Sequence, residues 1–131
     1  MIVMDASALI ELLTRTECGR RVEARVLRPS DSVHAPALID LEVAQVLRRY
    51  VLSGQVPEHW ARMALDIATA FPMTRYLHEP LIKRVWDLKD NVTAYDAAYV
   101  ALGEALRAPL VTCDARLARV AGFTTPVELI A

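Results

Sequence analysis

Several things are scarce in this chain, and each shortage closes off a class of protein. There are only two cysteines, Cys18 and Cys113, far apart and in no metal-binding spacing, so neither a disulfide framework nor a cysteine zinc site is indicated. No stretch of about 18 apolar residues exists, so nothing is read as crossing a membrane. Met1-Ile-Val-Met4 runs directly into Asp5, without the basic-then-apolar order of a signal peptide. A cytoplasmic protein with reduced thiols is therefore the expectation. Charge of one sign is also missing. The net charge of −1 supplies no global basic field for non-specific binding of nucleic acid. An anionic substrate would need local arginines or a metal. Internal repeats, linkers and low-complexity tracts are all absent.

What is present is apolar. Such residues make up 54% of a 131-residue chain whose mean hydropathy is positive, which is high for a small soluble domain. The length reads as a single domain, residues 1–131, able to bury a core without staples. The apolar surplus points to a surface covered by another chain.

The stretch from Thr93 to Leu117 is the centre of the reading. Alanines 94, 97, 98, 101 and 105, with Val100, Leu102 and Leu106, form a strong helix former that is apolar on most faces and so is buried between layers. Ala108-Pro109 stops it, and Leu110-Val-Thr112 reads as a short buried strand. About eleven helical residues from Asp96 to Arg107 span roughly 16 Å. About four strand steps from Leu110 to Asp114 recover roughly 13 Å. An antiparallel return then leaves Asp96 and Asp114 level at one edge of a sheet, a cation-binding arrangement. Helix capping is the competing reading of each acid alone, with Thr93 to Asp96 as a capping box and Asp114 as the cap of a helix from Ala115.

The remaining chain alternates strands with helices. Ile2-Val3-Met4 is a strand ending in Asp5-Ala-Ser7, followed by a helix whose buried stripe is Leu9, Ile10, Leu12 and Leu13. A second helix runs from Cys18 to Leu27, and Ser32 to Ala35 is the second strand, with His34 read as a packed or edge histidine. Pro36 sets the first turn of a helix from Ala37 to Leu52, in whose apolar run Glu42 is an exception. Pro57 opens a helix to Phe71 with a Trp60, Met63, Ala64, Ile67 and Ala68 stripe, read as core or interface. Met73 to Tyr76 is a polar edge strand, Pro80 starts a fourth helix, Ala115 to Ala121 is a short helix, and Phe123 to Val127 is a last edge strand. This alternation argues for an α/β/α sandwich around a mostly parallel, Rossmann-like five-stranded sheet. Ligands bind such sheets beyond the carboxyl ends of the strands, which puts Asp5, Asp96 and Asp114 at one rim with Glu42 in reach.

Those segments together resemble the PIN-domain ribonucleases, and within them the VapC-type toxins of bacterial toxin–antitoxin pairs. The resemblance rests on the strand ending in Asp5-Ala-Ser7 and on Glu42 ahead of Val46-Leu-Arg-Arg49. It is completed by Tyr95-Asp-Ala-Ala-Tyr-Val-Ala-Leu102 and Leu110-Val-Thr-Cys-Asp114. It implies an endoribonuclease in which Asp5, Glu42, Asp96 and Asp114 hold Mg²⁺ or Mn²⁺, with Thr112 as an accessory hydroxyl and Ser7 as a supporting donor. Cys113 stands where a small residue is expected. Arg116 and Arg119 are candidate phosphate contacts. The resemblance also implies an RNA substrate, a cognate antitoxin and a homodimer. Three rivals remain. A receiver-like phosphotransfer domain would need adjacent early acids and a late lysine, whereas the only lysines are Lys83 and Lys89. A silent PIN-like binding module is opposed by the four acids. A DNA-directed nuclease with the same metal site would be expected to carry a duplex-binding extension.

Overall fold

A computed structural model describes residues 1–131. The chain runs β1 (Ile2–Met4), α1 (Ala6–Thr14), α2 (Glu17–Val26), β2 (Val33–Pro36), α3 (Ile39–Leu52), α4 (Glu58–Ala70) and β3 (Thr74–Tyr76). A 3₁₀ turn (Glu79–Leu81) then leads into α5 (Ile82–Asp87), α6 (Ala94–Leu106), β4 (Leu110–Thr112), α7 (Ala115–Ala118) and β5 (Val127–Leu129). The five strands form one sheet in the order β3-β2-β1-β4-β5, and every pairing is parallel. Helices cover both faces, as a sheet of continuously apolar strands requires. α1 packs with α2, α3 and α4, while α6 lies on β1, β2 and β4 beside α5. The α/β/α sandwich read from the sequence is the fold.

The central strands β1, β2 and β4 are buried along their whole length. α6 is the buried helix that its composition implies: all seven residues from Ala97 to Gly103 are out of solvent. Small side chains are what allow this helix to lie close on three strands. Local signals set its ends. Thr93 Oγ1 accepts from the Asp96 amide at 3.2 Å, and Arg107 closes the helix in the left-handed region at φ 53°.

His34 is packed, as expected. Its ring sits between Ser32 Oγ (2.7 Å from Nε2) and Tyr76 Oη (2.7 Å from Nδ1). Other expectations shift. Pro36 ends β2 rather than opening α3, which starts at Ile39, because Pro36 still pairs with Tyr76 of the edge strand. The last strand is Val127–Leu129, not Phe123–Val127: Thr125 Oγ1 donates to Ala108 O at 2.5 Å and Leu110 N donates to Pro126 O, which sets pairing later in the chain. α7 stops at Ala118, and the fourth predicted helix is a 3₁₀ turn followed by a six-residue helix. Leu9, Ile10 and Leu13 are core, as the apolar stripe of α1 implies. On α4 the burial falls to Ala61, Ala64 and Ala68, while Met63 and Ile67 are exposed.

Two expectations about stability follow. α2 crosses α1 so closely that a Cβ on Gly19 would lie 2.0 Å from the Glu11 carbonyl oxygen. Gly19→Ala should therefore lower stability by about 2–3 kcal/mol, because backbone must move; urea unfolding measures it, and an unchanged midpoint would contradict the packing. Burial pushes His34 below its ordinary value of 6.5, with the N-terminal charge acting the same way. The unfolded chain thus takes up a proton that the folded one refuses. The stability this residue contributes is complete above pH 6.5 and is lost as pH falls towards the lower folded value. His34→Gln should flatten the decline in melting temperature between neutral and mildly acid pH, and parallel profiles for the two proteins would refute it.

Candidate active site

The order of the strands decides where a site forms. From β1 the chain moves outward to β2 and β3 on one side, then returns to place β4 and β5 on the other. The switch point therefore lies between β1 and β4, and a crevice opens beyond their carboxyl ends. Asp5 follows β1 directly, and Asp114 follows β4 after one intervening residue. Asp96 lies in the first turn of α6, which runs antiparallel to β4, and Glu42 lies in the first turn of α3. All four carboxylates line one cleft of about 690 Å³, together with Ser7 and Arg116.

Asp5 is the most constrained. It is 6% exposed, and three donors hold it. Its Oδ1 accepts from Ser7 Oγ at 2.6 Å and from the Ala8 amide at 3.0 Å, the second bond capping α1. Its Oδ2 accepts from Thr112 Oγ1. The Ser7 and Thr112 hydroxyls are fixed from behind, since Ser7 Oγ accepts from the Cys113 amide (2.9 Å) and Thr112 Oγ1 from the Asp114 amide (3.0 Å). A carboxylate has about four lone-pair sites, so three bonds leave roughly one open.

The other acids are held less tightly. Glu42 Oε1 accepts from the buried Tyr99 hydroxyl at 2.5 Å. Asp114 Oδ1 accepts from the Arg116 amide at 2.9 Å, capping α7, and meets Arg116 Nε at 3.4 Å. Capping and lining the cleft are thus compatible roles: Asp5 and Asp114 do both. Asp96 is capped by Thr93 rather than acting as a cap.

The electrostatics oppose the cluster. Burial raises the Asp5 carboxyl above its ordinary value, against the three donors, and Asp96 adds repulsion. Burial also raises Glu42, helped by repulsion from Asp96 and Asp5, and Asp96, helped by Asp114. No three of these side chains stand as a group that closes around one ion. Asp5, Glu42 and Asp114 are each held instead by a hydrogen-bond donor of their own.

The sequence candidates are distributed as follows. Asp5, Ser7, Glu42, Asp96, Asp114 and Arg116 all reach the cleft. Thr112 does not: it is fully buried and acts on Asp5 and the Asp114 amide. Arg119 is not among the lining residues. Sequence reasoning missed Tyr99, although it stands three residues after Asp96 on the same helix face, where an aromatic hydroxyl among alanines was a usable signal. It also missed Arg49 and Tyr95, which line the cleft; Tyr95 is 66% exposed.

Comparison with known proteins places the whole chain in a family. The pattern of the PIN domain family matches residues 2–123. Ribonuclease VapC12 of Mycobacterium tuberculosis is 40% identical over 131 residues, covering all of both chains. Ribonuclease VapC1 of the same organism is 43% identical over 129 residues, covering 98% of this chain and 96% of its own. Among solved structures, the Mycobacterium tuberculosis sarcin-ricin loop cleaving toxin VapC20 superposes with a TM-score of 0.65 at 14% identity, covering 98% of this chain and 100% of that one. The fold, the cleft at the switch point and these full-length identities together make the chain a member of the PIN-domain family, in its VapC ribonuclease branch.

Proposed function

We propose that this protein is a divalent-metal-dependent endoribonuclease, hydrolysing phosphodiester bonds of RNA as the toxin of a toxin–antitoxin pair. The observation that carries the reading is the convergence of four carboxylates, from four separate elements, on one cleft at the switch point of the sheet. The donor set is all oxygen, which suits Mg²⁺ or Mn²⁺, and Mg²⁺ characteristically uses only one or two carboxylates and keeps waters. A loose acidic rim therefore fits such an ion without a preformed cage. When bound by Asp5, Glu42, Asp96 and Asp114, the cation supplies Lewis acidity and the positive charge an incoming phosphodiester requires.

The protein's own groups do the positioning. Thr112, Ser7 and the Ala8 amide fix Asp5 and leave roughly one of its lone-pair sites open. Tyr99 steadies Glu42, and the backbone turn at Arg116 steadies Asp114. Arg116, whose side chain is 90% exposed, stands at the rim as a phosphate contact. RNA is favoured as substrate because the relatives reported above are named ribonucleases. The work would be done in the cytoplasm, where RNA is available.

The same acidity suits a protein partner. A cognate antitoxin would be expected to bring a basic side chain into the cleft, where it satisfies the carboxylates and competes with the metal. Exposed Met63 and Ile67 on α4, with Ile82 and Trp86 on α5, support a homodimer.

Asp96→Asn keeps shape and removes charge. It is expected to cut cleavage of total RNA by at least about a hundredfold, roughly 3 kcal/mol of transition-state stabilisation, while circular dichroism stays native. EDTA should abolish wild-type cleavage and Mg²⁺ or Mn²⁺ restore it. Full activity in Asp96→Asn, or cleavage that ignores EDTA, would sink the mechanism and leave the binding-module alternative. Sedimentation velocity addresses assembly: a dimer is expected at micromolar concentration, and a monomer throughout would remove that part of the proposal.

A further inference from the structure

Cys18 and Cys113 are separated by 95 positions in sequence, yet their Sγ atoms lie 3.3 Å apart. Cys18 is in the first turn of α2, and Cys113 is the one residue between β4 and Asp114. Other contacts fix both ends. Cys18 Sγ also donates to Ile130 O at 3.3 Å, and the Cys113 amide donates to Ser7 Oγ. A disulfide has an S–S distance of about 2.05 Å, so closure needs a relative approach of only about 1.3 Å, within reach of small side-chain rotations. Both thiols are half-buried, and Cys113 lines the acidic cleft, through which a small oxidant can enter. Neither sulfur has a part in the proposed hydrolysis.

We infer that Cys18 and Cys113 are a covalent modification site, closed by a peroxide into a reversible intramolecular disulfide that staples α2 to the active-site strand. The first thiol reduces hydrogen peroxide, becoming a sulfenic acid and releasing one water. The second sulfur attacks that sulfenic sulfur: the S–S bond forms, the S–O bond breaks, and the departing hydroxide takes the thiol proton as a second water. Two electrons pass from the two sulfurs to one peroxide, and nothing further is consumed. The neighbouring thiol also has a protective consequence. A sulfenic acid left alone at Cys113 climbs to sulfinic and sulfonic acid, fixing a further negative charge beside Asp114. Cys18 intercepts it.

The full chain, reduced and then treated with hydrogen peroxide, should lose two hydrogens by intact mass and go from two titratable thiols to none. Dithiothreitol should restore both. The cross-link closes a long loop, so the oxidised protein should melt higher by roughly 5 °C or more. Cys18→Ser and Cys113→Ser, which change one atom each, should show neither the loss of hydrogens nor the gain in melting temperature, and Cys18→Ser should instead accumulate oxygen on Cys113. The inference is overturned if the wild type keeps both thiols, adds oxygen rather than losing hydrogen, cross-links between chains, or closes the bond without melting higher. None of these readouts depends on nuclease activity.

Discussion

The hydrogen bond from Thr112 to Asp5 joins the carboxyl ends of β1 and β4 across the point where the sheet changes direction. Much of the site depends on it. Because the Thr112 hydroxyl donates to Asp5, its oxygen is free to accept the Asp114 amide, which sets where the chain leaves β4. Ser7 repeats the arrangement one layer outward, giving its proton to Asp5 and accepting the Cys113 amide. Two hydroxyls thereby couple the end of β1, the start of α1 and the exit of β4 into one unit. The magnitudes show its cost. A hydrogen bond to a charged group contributes about 1.5–3 kcal/mol, and three such bonds are set against several kcal/mol for taking a carboxylate out of water. Burial still prevails, since the Asp5 carboxyl remains raised.

That imbalance recurs around the cleft. Three of the four acids are raised by burial, and each of the three also feels at least one of the others. A fold selected only for stability would place apolar or neutral side chains there. These raised carboxylates stand at the one place where the sheet order opens a crevice, which is where perturbed groups cluster in functional sites. Hydrogen bonds to Asp5, Glu42 and Asp114 hold three of the acids in place along the cleft wall.

The rest of the architecture supports that rim. The alanine-rich α6 can lie close on three strands, and its first turn presents Asp96 to the same cleft as Asp114. Tyr99, one turn further along, is buried at the helix–sheet interface and still reaches Glu42 with its hydroxyl. Away from the rim, ion pairs fasten the periphery: Arg75 of the edge strand grips Asp40 through two bonds of 2.8 and 3.0 Å, and Arg25 ties α2 to Glu128 of β5. The apolar surplus in the composition is divided between core and surface. Most enters the core, and the large apolar side chains left exposed include Met63 and Ile67 on α4, Ile82 and Trp86 on α5, and Leu41 and Tyr95 at the cleft.

Sequence alone determined the alternation of strands and helices, the buried character of α6, and the ends of elements governed by local chemistry: Thr93 as a cap and Pro109 as a stop. These were legible because caps, turns and hydrophobic runs act within a few residues of one another. That Asp96 and Asp114 would face one cleft was legible for the same reason, since one helix and one strand of known rise connect them. Tertiary structure decided whatever rests on register between distant segments. It moved the last strand to Val127–Leu129, because pairing with β4 sets its position rather than propensity. It turned Thr112 inward and divided α4 into a buried alanine face and an exposed Met63 and Ile67 face. It brought Cys18 against Cys113 and Tyr99 against Glu42, pairs separated by 95 and 57 positions, whose meeting depends on how sheet and helices stack and on nothing local to either partner.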